Sequence, residues 1–147
     1  MEESVMMMKK QNIFRDVNME LTGEDIAMLS PLQLAYVGDA VYELLIRTYL
    51  LNKDMSVNQL HRSATKYVKA KAQSEIIHQI EGLLTEEEKR VVKRGRNSKT
   101  HTSPKNTDMI DYKYATGFEA LIGYLYINKE YERISQIFDS IIHLKNE

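Results

Sequence analysis

Two carboxylates fall in stretches that are otherwise nearly free of charge on the faces they share. Asp39 lies in Ser30-Pro-Leu-Gln-Leu-Ala-Tyr-Val-Gly-Asp39-Ala-Val-Tyr-Glu-Leu-Leu-Ile-Arg-Thr-Tyr-Leu-Leu51, and Glu119 in Tyr112-Lys-Tyr-Ala-Thr-Gly-Phe-Glu-Ala-Leu-Ile-Gly-Tyr-Leu-Tyr126. Both stretches are apolar or aromatic almost all round, the pattern of helices covered on two sides. On a helix Asp39 projects between Leu32, Ala35, Ile46 and Leu50, with Glu43 one turn on. An ionised carboxylate there costs on the order of several kcal/mol unless a cation or donor offsets it. Gly38 beside it gives up roughly 1 kcal/mol of helix propensity. Glu119 shares its stripe with Tyr112, Ala115, Thr116, Gly123 and Tyr126, whose small members let another helix or a ligand come close. Mg²⁺ takes oxygen ligands, commonly one or two carboxylates with water and substrate phosphate. Asp39 and Glu119 could supply such a pair if their helices meet. Bland readings stand at about even weight: Asp39 satisfied by a base or hydroxyl of another helix, Glu119 bonded to a tyrosine.

A second signal is charge. Lys89, Arg90, Lys93, Arg94, Arg96, Lys99 and Lys105 are seven bases with no acid between the first and the last. Bases near a helix C-terminus complement its dipole, which is one explanation. The functional reading is a phosphate grip by Arg94, Arg96, Lys99 and Lys105, extended by Lys71 together with Lys66 and Lys69. Few aromatics accompany these charges, so a duplex held by its backbone fits better than stacked single strands.

The elements that would position these groups follow from composition and caps. The chain has 147 residues, no cysteine, two prolines, six glycines and a net charge of −1. That predicts a single all-α domain with a real core, without disulfides, thiolate metal sites or cysteine nucleophiles. The near-zero charge excludes a polycation, so only the local basic tract speaks for an anionic partner. No bilayer-length apolar run and no cleavable leader pattern is present, and the lack of cysteine suits the cytoplasm. Residues 1–22 read as a flexible tail and 23–147 as the domain, with a short turn near Glu24–Leu29. Ser30/Gln33, Ser56/Gln59 and Thr85/Glu88 are capping-box pairs that open three helices. The first runs to about Leu51, with Leu34, Val37, Val41, Leu44, Leu45 and Leu51 on one face. The second carries Leu60, Ala64, Tyr67 and Val68, and a break at Lys69-Ala-Lys71 leads to another over about Ala70–Leu83. The Thr85 helix ends near Arg96. Asn97 to Thr107 is a loop, and helices over roughly Met109–Asn128 and Tyr131–His143 follow.

Leu34-Ala-Tyr-Val-Gly-Asp-Ala-Val-Tyr-Glu43 resembles the signature helix of the ribonuclease III catalytic domain, and Phe118-Glu-Ala-Leu-Ile-Gly123 its second acidic motif. Lys93-Arg-Gly-Arg-Asn97 and Thr102-Ser-Pro-Lys-Asn-Thr-Asp108, in a chain without a double-stranded-RNA-binding domain, resemble the Mini-ribonuclease III family. The resemblance spans roughly residues 25–143. It implies an all-α homodimeric fold of six to seven helices and a Mg²⁺-dependent endonuclease acting on double-stranded RNA. It also implies maturation of precursor 23S ribosomal RNA, with products carrying a 5′-phosphate and a 3′-hydroxyl. By position, Asp39 and Glu119 match the metal-binding catalytic acids. Two further family acids are replaced here by Ala35 and Thr116, as is typical of the mini branch. Metal would then lean on water, phosphate oxygens, Glu43 or Asp111. The apolar second face of the signature helix implies a partner subunit. Two readings from other classes remain beside this one: a catalytically idle helical RNA-binding or ribosome-assembly module, and an α-helical protein-interaction domain.

Overall fold

A computed structural model describes residues 12–98 and 108–146. These residues form α1 (Ile13–Asp16), α2 (Gly23–Ala27), α3 (Pro31–Leu50), α4 (Val57–Val68) and α5 (Ala70–Ile80). A 3₁₀ turn (Glu81–Leu83), α6 (Glu86–Arg96), α7 (Met109–Ile127) and α8 (Tyr131–Lys145) complete them. Among the described residues there is no strand, as composition predicts. Among the described residues there are eight α-helices, beside the six to seven expected. The shortest, α1 and α2, are a turn or so each and lie in stretches expected as tail and turn. Residues 1–11 of that tail lie outside the described residues, but its remainder is tied down. Arg15 is buried and donates from Nε to the Ile127 carbonyl at the end of α7, 2.8 Å away. Asp16 pairs with Lys129 at 2.9 Å.

All three expected capping boxes form, at Ser30/Gln33, Ser56/Gln59 and Thr85/Glu88. A fourth, Thr22/Asp25, opens α2; it is the same pattern with Asp in place of Glu or Gln at the third helical position. Lys69 is a single extended residue between α4 and α5, which settles the break where Lys69-Ala-Lys71 suggested it.

α7 is the central rod. Its buried residues, from Ala115 to Ile127, nearly encircle it, because α3, α5, α6 and α8 all lean on it. Phe118 is fully buried and meets Tyr42 edge to face at 4.8 Å. The Tyr42 hydroxyl donates to the Tyr67 carbonyl and so ties α3 to α4. Ile76, Ile77 and Ile80 from α5 and Ile134, Ile137 and Ile141 from α8 close the same core.

The face of α3 chosen by this packing differs from the expected one. Leu34, Gly38, Tyr42 and Ile46 point into α7, whereas Val37, Val41 and Leu45 are half-buried and Leu44 is 61 % exposed. A helix apolar nearly all round offers two candidate ridges, and periodicity alone does not choose between them. Gly38 decides: only its ridge lets two backbones touch. The other ridge lines an open apolar groove of about 660 Å³, walled by Phe14 and Val17, by Val41 and Leu44, and by Tyr126 and Ile134.

Candidate catalytic acid pair and basic surface

The crossing of α3 and α7 is made by two glycines. A Cβ on Gly38 would overlap the Glu119 carbonyl oxygen, and one on Gly123 would overlap that of Leu34. The propensity lost at Gly38 is therefore the cost of close packing and not itself a mark of chemistry. Its consequence is chemical all the same. Asp39, next to Gly38, is brought against the side chain of Glu119, within hydrogen-bonding reach.

The surroundings of the two acids differ from the sequence expectation. Asp39 is exposed in the isolated chain, because Leu32 and the helix edge around it face solvent. Glu119 is the deeper group. Burial pushes its carboxyl up to about 9, and the hydrogen bond and charge of Asp39, then the charge of Glu43, add to the rise. Among the described residues neither acid forms an ion pair. Among the described residues neither bland reading finds its partner: no base or hydroxyl bonds Asp39, and no tyrosine hydroxyl bonds Glu119.

No cluster of three or more His, Asp or Glu suited to a metal forms among the described residues. Glu43 is held by Arg47 at 2.9 Å. At the positions where the family resemblance implies further acids, Ala35 and Thr116 are both buried, and the Thr116 hydroxyl donates to the Tyr112 carbonyl at 3.0 Å. Two carboxylates pressed together, neither paired with a base among the described residues, nonetheless fit a small hard cation, which would relieve their repulsion and replace the proton of Glu119.

The basic residues do not form one patch. Arg94 and Arg96, two residues apart, point to different sides of α6. Arg94 borders a cavity of about 400 Å³ with Arg90, Glu87 and Tyr124, where the Tyr124 hydroxyl donates to Glu87. Arg96 stacks over the Tyr114 ring, 5.6 Å from its centroid, and donates to its hydroxyl. Lys71 is exposed in the first turn of α5. Lys99 and Lys105 lie outside the described residues. Tyr114 and His78 carry no chemical signature in the sequence; their role appears only when α5 and α7 bring the two rings to 4.3 Å.

A family model described as "Ribonuclease III domain" matches residues 32–130, which include both acids and the helices that carry them. A Mini-ribonuclease 3 of Clostridium tetani is 52 % identical over 130 residues, covering 87 % of this chain and 86 % of that one. The chain belongs to the Mini-ribonuclease III branch of the ribonuclease III family. The Mini-ribonuclease 3 of Staphylococcus aureus is 43 % identical over 125 residues, 83 % of this chain and 93 % of its own. The crystal structure of a Fusobacterium nucleatum protein superposes with a TM-score of 0.74 at 39 % identity, over 82 % of this chain and 98 % of that chain. The family resemblance carried by the two acidic motifs is thereby borne out, and so is the all-α ribonuclease III fold.

Proposed function

We propose that this endoribonuclease of double-stranded RNA works with Mg²⁺ held by Asp39 and Glu119, and that it matures the ends of precursor 23S ribosomal RNA. The observation that carries the reading is the meeting of these two carboxylates at the α3–α7 crossing, with no base paired to either among the described residues. When bound, Mg²⁺ polarises a phosphate oxygen and lowers the pKa of water at the scissile bond. The chain's own residues do the rest. Asp39 stands at the solvent side, where a substrate strand arrives, and Glu119 sits beneath it and must release its proton to the medium. Gly38 and Gly123 hold the two at fixed separation. Arg94, Arg96 and Lys71, with Lys99 and Lys105, grip phosphates and carry no base identity, which suits a duplex recognised by its backbone.

The apolar groove along α3 supports a homodimer. A two-fold axis there would present two acid pairs, one for each strand of a duplex. Among the described residues no helix is long and apolar enough to cross a membrane. A chain without cysteine suits the reducing cytoplasm, where ribosomal RNA is matured. The ribosomal substrate rests on the resemblance of the motifs.

The test is cleavage of a short RNA duplex with and without Mg²⁺, beside Asp39→Asn. The wild type is expected to cut only with the ion, leaving 5′-phosphate ends, while Asp39→Asn binds the duplex with unchanged affinity and does not cut. Cutting by Asp39→Asn would remove the assignment. A wild type that binds and never nicks would favour the idle RNA-binding module. Mapped ends on a precursor 23S transcript check the substrate: scattered cuts would contradict a maturation role.

A further inference from the structure

A cavity of about 160 Å³ opens between α5, α6 and α7. It lies on a different side of α7 from the acids, since Tyr114 in its floor precedes Glu119 by five residues, about 140° round the helix. Lys89, Lys93 and Arg96 line it from a single strip of α6, spaced i, i+4 and i+7, against one acid, Glu81. A merely solvated helix face spreads its lysines over a convex surface, but these three cations line a concavity.

Their partners among the described residues compensate only part of the charge. Among the described residues Lys89 pairs with the exposed Glu86 alone, at 3.5 Å. Lys93 forms no ion pair among the described residues. Arg96 is half-buried and, among the described residues, held without a carboxylate: its Nε donates to Asn97 and its Nη1 to the Tyr114 hydroxyl, with the guanidinium over the Tyr114 ring. His78 packs on that ring at 4.3 Å and stiffens the floor. The Nη2 protons of Arg96 make no hydrogen bond among the described residues. A fixed guanidinium with free donors, flanked by two lysines, is the arrangement that takes a phosphoryl oxygen fork.

We propose that this cavity is a binding site for a single phosphate group, separate from the acid pair. Neither Asp39 nor Glu119 takes part, so the site does not depend on the acid pair; Arg96 alone is shared with the phosphate grip proposed above.

Inorganic phosphate titrated into the protein and followed by NMR tests it. Resonances of Lys93, Arg96 and Tyr114 should shift and saturate in the millimolar range. Lys89→Gln/Lys93→Gln should weaken that binding at least tenfold, and Glu81→Gln should tighten it several-fold. Because Glu81 lies on an exposed 3₁₀ turn, the second variant keeps the test decisive if the lysine pair disturbs folding. Duplex RNA binding in EDTA identifies the source of the phosphate. If the group belongs to the RNA backbone, the double lysine variant loses duplex affinity, its log–log salt slope falls by about 2, roughly one per lysine, and phosphate competes with RNA. If it is a free phosphate ester, phosphate binding is lost while duplex affinity and slope stay as they were. Shifts absent at these three residues, or equally present in the double variant, would overturn the site.

Discussion

Glu119 is the residue on which chemistry and stability conflict. Its carboxyl is raised in the folded chain from 4.5 to about 9, first by burial and then by Asp39. Between those values the folded protein holds a proton that the unfolded chain has lost, so stability falls as pH rises through that window. Without divalent ions the thermal midpoint should therefore drop from pH 5 to pH 8. Glu119→Gln should flatten this slope and exceed the wild type at pH 8, read by thermal melts in EDTA; a parallel slope in the variant would exonerate Glu119. Glu88 shows the opposite sign. It is buried in a two-point bond with Arg133, Nη2 and Nε each at 2.8 Å, which holds its carboxyl below the usual carboxylate range against the effect of burial. Its contribution is present above about pH 4.5 and is lost as pH falls toward and through the lowered value. Arg133→Met leaves that carboxylate buried with only its Thr85 capping bonds and no cation, and should cost about 2–3 kcal/mol in urea unfolding at pH 7. The sequence marks Glu88 as a capping-box residue; that it also anchors α8, 45 residues away, is a matter of tertiary contact.

At the scale of elements, the protein depends on how closely α3 and α7 approach. Gly38 and Gly123 interlock, and on the far side of α7 Gly117 meets Gly95 of α6. Larger residues at a backbone-to-backbone contact force whole helices apart, typically at about 1–3 kcal/mol or more. Gly38→Ala or Gly123→Ala should lower stability by at least that much. Cleavage measured well below the melting point should fall further than Arg133→Met makes it fall, because the separation of Asp39 and Glu119 changes. Equal activity losses in the two variants would reduce the glycines to a purely structural part. The short helices α1 and α2 are less legible in sequence. A four-residue helix has no periodicity to read, and α1 exists because Arg15 finds the free carbonyl at the end of α7.

For the whole molecule the open question is the second face of α3. Leu44 at 61 %, Phe14 at 69 % and Val17 at 83 % exposure surround one apolar groove. Such a surface left in water favours association. Leu44→Glu places a charge in the middle of it. Sedimentation should show a dimeric wild type and a monomeric variant with intact helical circular dichroism. A wild type that sediments as a monomer would contradict the dimer outright.

Local information in the chain determines much of this protein. Capping pairs place the starts of α3, α4 and α6, the Lys69 break and the long helices read from periodicity, and the two acidic motifs carry the family, because each depends on residues within a turn or two of one another. Tertiary structure alone decides which ridge of α3 is core, that Asp39 is exposed while Glu119 is deep, that Arg94 and Arg96 part company, and that α6 folds three bases around Tyr114. Those outcomes depend on where separate helices touch, and here the touch is set by glycines, whose lack of a side chain leaves almost no trace in a hydrophobic pattern.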